Sequence, residues 1–154
     1  MNLHSDGFMS VFPIKPLVLV GVCAAGKTTV SGLLRNRGII AKPVAQEHSR
    51  VPDLYKRTGD WVVLLAATWE TVHRRRRLSW DTSFYRTEWD RLGTARQEAC
   101  LIVHTDWLTA EQVAQRVARW FDGKVGLDAL WRRHPEYGEA DRALLRAALQ
   151  SAVE

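Results

Sequence analysis

Cysteine is scarce in this chain: only Cys23 and Cys100 occur in 154 residues. Neither their number nor their spacing suggests a disulfide framework or a zinc module, and a reducing, cytoplasmic setting fits them. Long apolar runs are missing as well. No stretch approaches the ~20 apolar residues that a membrane helix needs, so no membrane association is expected. No cationic segment precedes an apolar core near the start, which argues against a signal peptide. Internal repeats and low-complexity tracts are absent. Acidic residues are the minority charge, 17 against 22 Lys and Arg, which leaves a net charge of +5. That balance suits anionic partners such as nucleotides, phosphorylated metabolites or nucleic acid, although a mildly basic soluble enzyme is the commoner reading.

What is present describes one domain of sufficient length to bury a core without staples. Seven tryptophans favour buried or cleft-lining aromatic surface. Residues 1–13 read as a loose leader, with Met9 as an alternative start. "PLVLV" (16–20) is a short apolar strand, followed by a helix over 27–36 that Gly38 stops. "IIAKPVAQ" (39–46) is a second strand, which Pro43 places at an edge or a bend. "WVVLLAA" (61–67) is the clearest buried strand, and Thr68 caps a helix running to about Arg77. Residues 78–83 are a loop. Tyr85, Trp89, Leu92, Ala95 and Ala99 recur at helical spacing over 84–99. "CLIVHT" (100–105) reads as a last buried strand, and Thr109 with Gln112 forms a capping box for a helix over 110–121. Residues 122–154 are a helical extension, split at Pro135 and packed on the 14–121 domain. Apolar strands alternating with helices predict an α/β protein of three layers, with a small, mainly parallel sheet of about four strands.

One motif carries specific chemistry. Gly21–Thr28 reads G-x-x-x-x-G-K-T, with a strand before it and a helix after it. Ordinary residue usage gives roughly 0.005 chance matches per chain, so accident does not explain it. In a phosphate cradle, Gly21 and Gly26 let the backbone curl around the anion. Ala24, Ala25 and Thr29 contribute backbone amides, Lys27 reaches the β/γ-phosphates, and the Thr28 hydroxyl holds Mg²⁺. Cys23 lies inside this loop. A thiol at a helix N-terminus could have a lowered pKa, but a small residue that merely fits is the preferred reading.

In open parallel sheets, ligands bind outside the carboxyl ends of the strands. After the second strand stand Glu47 and His48, after the third Thr68 and Glu70, and after the fourth His104, Thr105 and Asp106. Glu47 is the best candidate for a base or a metal helper, and Asp106 the second. His48 is a proton shuttle or a hydrogen-bonded loop residue. Asp53 is read as a turn cap, and Asp60 lies at the wrong end of its strand. The segment 70–96 holds seven arginines, at 74, 75, 76, 77, 86, 91 and 96. Two or three of the clustered four form a solvated face, with Glu70 one turn before Arg74. The others fit a lid that neutralises charge on a transferring phosphoryl group, with Trp80 and Tyr85 beside it. Tyr85 and Trp89, on a helical stripe, are better read as core.

"GVCAAGKTT", "TWETVHRRRR" and "LIVHTDWLTAEQVAQRVARWF" resemble small P-loop kinases, a broad family that includes shikimate, gluconate and nucleoside or nucleotide kinases. "AQEHSRVPDL" is similar to a segment of small ATP-binding P-loop proteins of unassigned role. The resemblance spans about residues 16–121. It implies ATP and Mg²⁺ at Gly21, Gly26, Lys27 and Thr28, and lid contacts from some of Arg74 to Arg77, Arg86 and Arg91. The 47–60 segment is shorter than in such kinases, and a single Glu47 stands where an acidic pair is usual. The expected function is therefore an ATP-dependent phosphotransferase acting on a small molecule. The alternative is a nucleotide-dependent switch or slow ATPase that meets a protein partner through its C-terminal helices. Single-stranded nucleic acid handling ranks third.

Overall fold

The computed structural model describes residues 16–59, 61–76, 81–124 and scattered positions between 135 and 144. The leader, Asp60, Arg77, Trp80 and most of the 122–154 extension lie outside the described residues.

Two apolar strands make the centre. β1 (Leu17–Gly21) and β3 (Val62–Ala66) are buried at every position, as strands covered on both faces must be. β1 pairs in parallel with β2 (Ala41–Pro43) on one side and with β3 on the other, in the registers Leu17↔Ala41 and Val18↔Val62. β4 (Leu101–His104) pairs in parallel with β3. The order β2-β1-β3-β4 makes a four-stranded, all-parallel sheet among the described residues, flanked by helices and compatible with a three-layer α/β arrangement. The chain leaves β1 for β2 on one side and returns across it to β3. The gap between β1 and β3 is therefore the switch point where such sheets take ligands.

Three expectations change. The second strand is only Ala41–Pro43, at the sheet edge where the missing N–H of proline is tolerated. β4 is an edge strand rather than a buried one: Ile102 and His104 are exposed and only Val103 is fully buried. The helix expected over 84–99 is two helices, α3 (Thr82–Arg91) and α4 (Gly93–Glu98), broken at Leu92. Asp81 starts α3 two residues early by accepting from the amides of Ser83 and Phe84 at 3.1 and 3.2 Å.

α1 (Lys27–Asn36) and α5 (Ala110–Lys124) pack on each other and on the sheet through Val30, Leu34, Val113 and Val117. α5 runs past the boundary expected after residue 121. The capping box forms as expected, with Gln112 N–H donating to Thr109 Oγ1 at 3.1 Å and Thr109 N–H to Gln112 Oε1 at 2.9 Å. α2 (Trp69–Arg76) starts at Thr68, whose hydroxyl oxygen accepts from Thr71 N–H at 3.3 Å. Tyr85 and Trp89 stack and pack against the core, and Tyr85 OH donates to Ala67 O at 2.5 Å. No helix among the described residues is long and apolar enough to cross a membrane.

Candidate functional site

The loop after β1 is shaped by close backbone approach. A Cβ on Gly21 would stand 2.5 Å from the carbonyl oxygen of Leu65, so only glycine lets β1 meet β3 there. Ala24 and Gly26 then take left-handed conformations, with φ of +64° and +99°. Gly26 is the N-cap of α1, but no side chain caps the helix and no acid lies in its first turn. The unsatisfied amides and positive end of the helix dipole therefore face the loop. Lys27, the first residue of α1, folds back across it. Its amine donates to Gly21 O at 2.6 Å and Val22 O at 3.4 Å, and it pairs with Glu47 Oε2.

The partner acid is held by a buried amide. Gln46 is fully buried; its Nε2 donates to Val51 O at 2.7 Å and its Oε1 accepts from Tyr55 N–H at 3.0 Å. Tyr55 in turn donates its hydroxyl to Glu98. This brace packs the 310 turn Gln46–His48 against α3. Glu47 is 2% exposed and Glu88, from α3, is 1% exposed. Cys23 N–H donates to Glu88 Oε1 at 3.2 Å, Cys23 Sγ lies 3.1 Å from His48 Nε2, and His48 Nδ1 lies 3.6 Å from Glu88 Oε2. Burial pushes the Cys23 thiol up to about 12, helped by its hydrogen bond to Glu88 and the charges of Glu88 and Glu47, against the pull of Lys27. The thiol is therefore raised rather than lowered, because its burial, with Glu88 and Glu47 beside it, outweighs the helix N-terminus.

The other side of the loop is different. An open cleft of about 220 Å³ runs between Ala24, Gly26, Thr105, Leu108 and Val113, with Arg75 at its edge. Arg75 ties the walls together: its guanidinium donates to Ala24 O at 2.9 Å, Thr105 O at 3.0 Å and Thr105 Oγ1 at 3.3 Å. Asp106 fastens the end of β4 to the start of α2 by accepting from Thr68 N–H and Thr68 Oγ1, each at 2.9 Å. Burial raises its carboxyl, but hydrogen bonds from Thr71 and Thr68 and the charge of Arg75 outweigh that and hold it below the usual carboxylate range.

Comparison with protein-family models gives no match, and comparison with curated proteins gives none.

Of the residues picked from sequence, the fold brings Gly21, Gly26, Lys27 and Glu47 together around one loop. Ala24 and Ala25 line the cleft, and Thr28 and Thr29 stand exposed at the start of α1. Arg74 and Arg86 are exposed, and Arg91 donates to Glu47 O at 3.4 Å. Asp53 occupies the cap position of the turn Leu54–Arg57 without a side-chain cap bond. Sequence reasoning missed Glu88 and did not single out Arg75 within the Arg74 to Arg77 group. Arg75 was one of four adjacent arginines, and nothing local separates the one that reaches the loop. Glu88 did leave a signal: it falls one turn after Tyr85 and before Leu92, a carboxylate on an apolar helical stripe.

Proposed function

We propose that this chain binds a nucleoside triphosphate with its 21–28 loop and is an ATP-dependent phosphotransferase of P-loop type acting on a small molecule. One observation carries the reading: the Lys27 amine is folded into the loop and opposed by the buried Glu47 carboxylate, at the switch point of a parallel sheet. A polyphosphate entering the loop offers Lys27 a stronger partner and meets the uncapped end of α1. Lys27 then swings from Glu47 to the phosphate oxygens, and the released carboxylate is free to take a proton from an acceptor hydroxyl. Thr28, exposed at the loop's end, and Glu47 are the residues that would hold Mg²⁺, which when bound neutralises charge on the phosphates. The apolar cleft beside Ala24 and Leu108 suits the flat face of a base, with Arg75 setting its width.

The test is incubation with γ-labelled ATP, Mg²⁺ and a fractionated metabolite extract, beside a Lys27→Ala variant whose fold is verified by circular dichroism. A labelled small molecule made only by the unaltered chain is expected. ATP bound but unspent would move the reading to a nucleotide-dependent switch. One observation favours that second reading: the 47–59 segment is drawn in tightly by Gln46 and the buried Tyr55, leaving it little length to build an acceptor site.

A further inference from the structure

Four side chains beneath the loop, Cys23, Glu47, His48 and Glu88, bring one donor atom each within 4.8 Å of one another. They come from three distant parts of the chain: the loop after β1, the turn after β2, and α3. Two further observations point to a ligand. Glu47 Oε1 and Glu88 Oε2 are buried and have no hydrogen-bond partner. A buried carboxylate oxygen without a donor is costly to keep. The local charge is also incomplete. Two buried carboxylates share this pocket with one ammonium, Lys27 at Glu47, and with the half-exposed His48 imidazole 3.6 Å from Glu88.

We infer that these four residues form a binding site for a zinc-class divalent cation, with Cys23 sulfur, His48 imidazole and the Glu47 and Glu88 carboxylates as its donors. The donor chemistry selects the class. Sulfur and imidazole are poor ligands for Mg²⁺ and Ca²⁺, which take oxygen, whereas a sulfur, a nitrogen and carboxylate oxygens together suit zinc and its neighbours. Binding displaces the thiol proton to solvent as the sulfur–metal bond forms; the imidazole and carboxylates bind without losing one. The charges then close: two positive from the ion and one from Lys27, against one thiolate and two carboxylates. Glu47 serves both partners, with Oε2 toward Lys27 and the orphaned Oε1 toward the ion. His48, with about half of its side chain exposed, opens the site to solvent. This goes beyond the nucleotide reading and stands without it, though it makes Glu47 a ligand rather than a free base.

Metal-free protein without nucleotide is titrated with Zn²⁺ by calorimetry and with Co²⁺ by absorption. The expected result is one ion per chain, a thiolate-to-cobalt charge-transfer band, and no displacement by excess Mg²⁺. Cys23→Ser should abolish the band, while Cys100→Ser, at an exposed site, keeps it. His48→Ala and Glu88→Gln should weaken Zn²⁺ binding more than the roughly 10–100-fold that loss of an outer partner costs. His48→Ala is a half-exposed change that leaves the core intact, so it remains informative where Glu88→Gln fails to fold. No saturable binding, or a band unchanged in Cys23→Ser, overturns the inference. Because ATP is absent throughout, failure here leaves the nucleotide reading standing, and the reverse also holds.

Discussion

On one side of the 21–28 loop, a thiol, an imidazole and two almost fully buried carboxylates crowd together, one of the carboxylates paired with Lys27. On the other, an open cleft is walled by Ala24, Leu108 and Val113, with the Arg75 guanidinium across its edge. The two sides share one turn of backbone, yet one holds charge out of water and the other offers apolar surface to it. The contrast follows from what packs against each. The acid side is closed by the braced turn 46–48 and by α3, which exclude solvent. The cleft side meets the edge strand β4 and the start of α5, where the sheet ends and water enters. On the function proposed above, phosphate would lie at the centre of the loop, the acid side would supply the proton or metal chemistry, and the cleft side would take a flat apolar group.

The sharpest break in that contrast is Lys27→Met. Removing the cation from a pair that is 12% and 2% exposed leaves Glu47 buried without its counter-charge. The variant should lose about 3–5 kcal/mol of stability in urea unfolding, and a second change, Glu47→Leu, should restore part of it. An unaltered midpoint in Lys27→Met would mean that the acid side is better solvated than its burial implies.

Next in size is Gly21→Ala. Its methyl would press on Leu65 O, pushing β1 from β3, and roughly 1–3 kcal/mol should be lost. Thermal melting without ligand isolates this effect from nucleotide binding.

Arg75→Ala tests the cleft. The affinity for ATP, measured by calorimetry, should fall about tenfold, the size of losing a charged hydrogen bond at the site. Arg74→Ala and Arg86→Ala, both exposed, should change it by no more than about twofold. Equal effects from all three would transfer the role from Arg75 to a diffuse basic surface.

Acid pH should affect the cleft side through Asp106. Its folded pKa is depressed, so its contribution to stability is fully present above the unfolded carboxylate pKa and fades as pH falls through the lower, folded value. Asp106→Asn should flatten this acid-limb loss in a pH series of unfolding midpoints. The smallest effect is expected from Ala24→Gly. Relief of a left-handed alanine (φ +64°) is partly offset by the greater freedom of glycine when unfolded, for a net gain of about 0.5 kcal/mol.

The sequence by itself determined the alternation of strands and helices, the phosphate-loop pattern, the cap at Thr68 and the capping box at Thr109. All of these are local: each depends on residues a few positions apart, whose periodicity or hydrogen-bond chemistry shows in the string. Glu47 was legible too, because a residue that follows a parallel strand must lie at its carboxyl end. The tertiary structure alone decided the rest. It brought Glu88 across from α3 to Cys23, separated by 65 positions, and picked Arg75 from its identical neighbours as the one whose guanidinium reaches Ala24 O and Thr105 O. It also raised the Cys23 thiol where a helix N-terminus alone suggested the opposite. Burial, charge balance and pKa are sums over every group within a few ångströms, and which groups those are is set by the packing of distant segments.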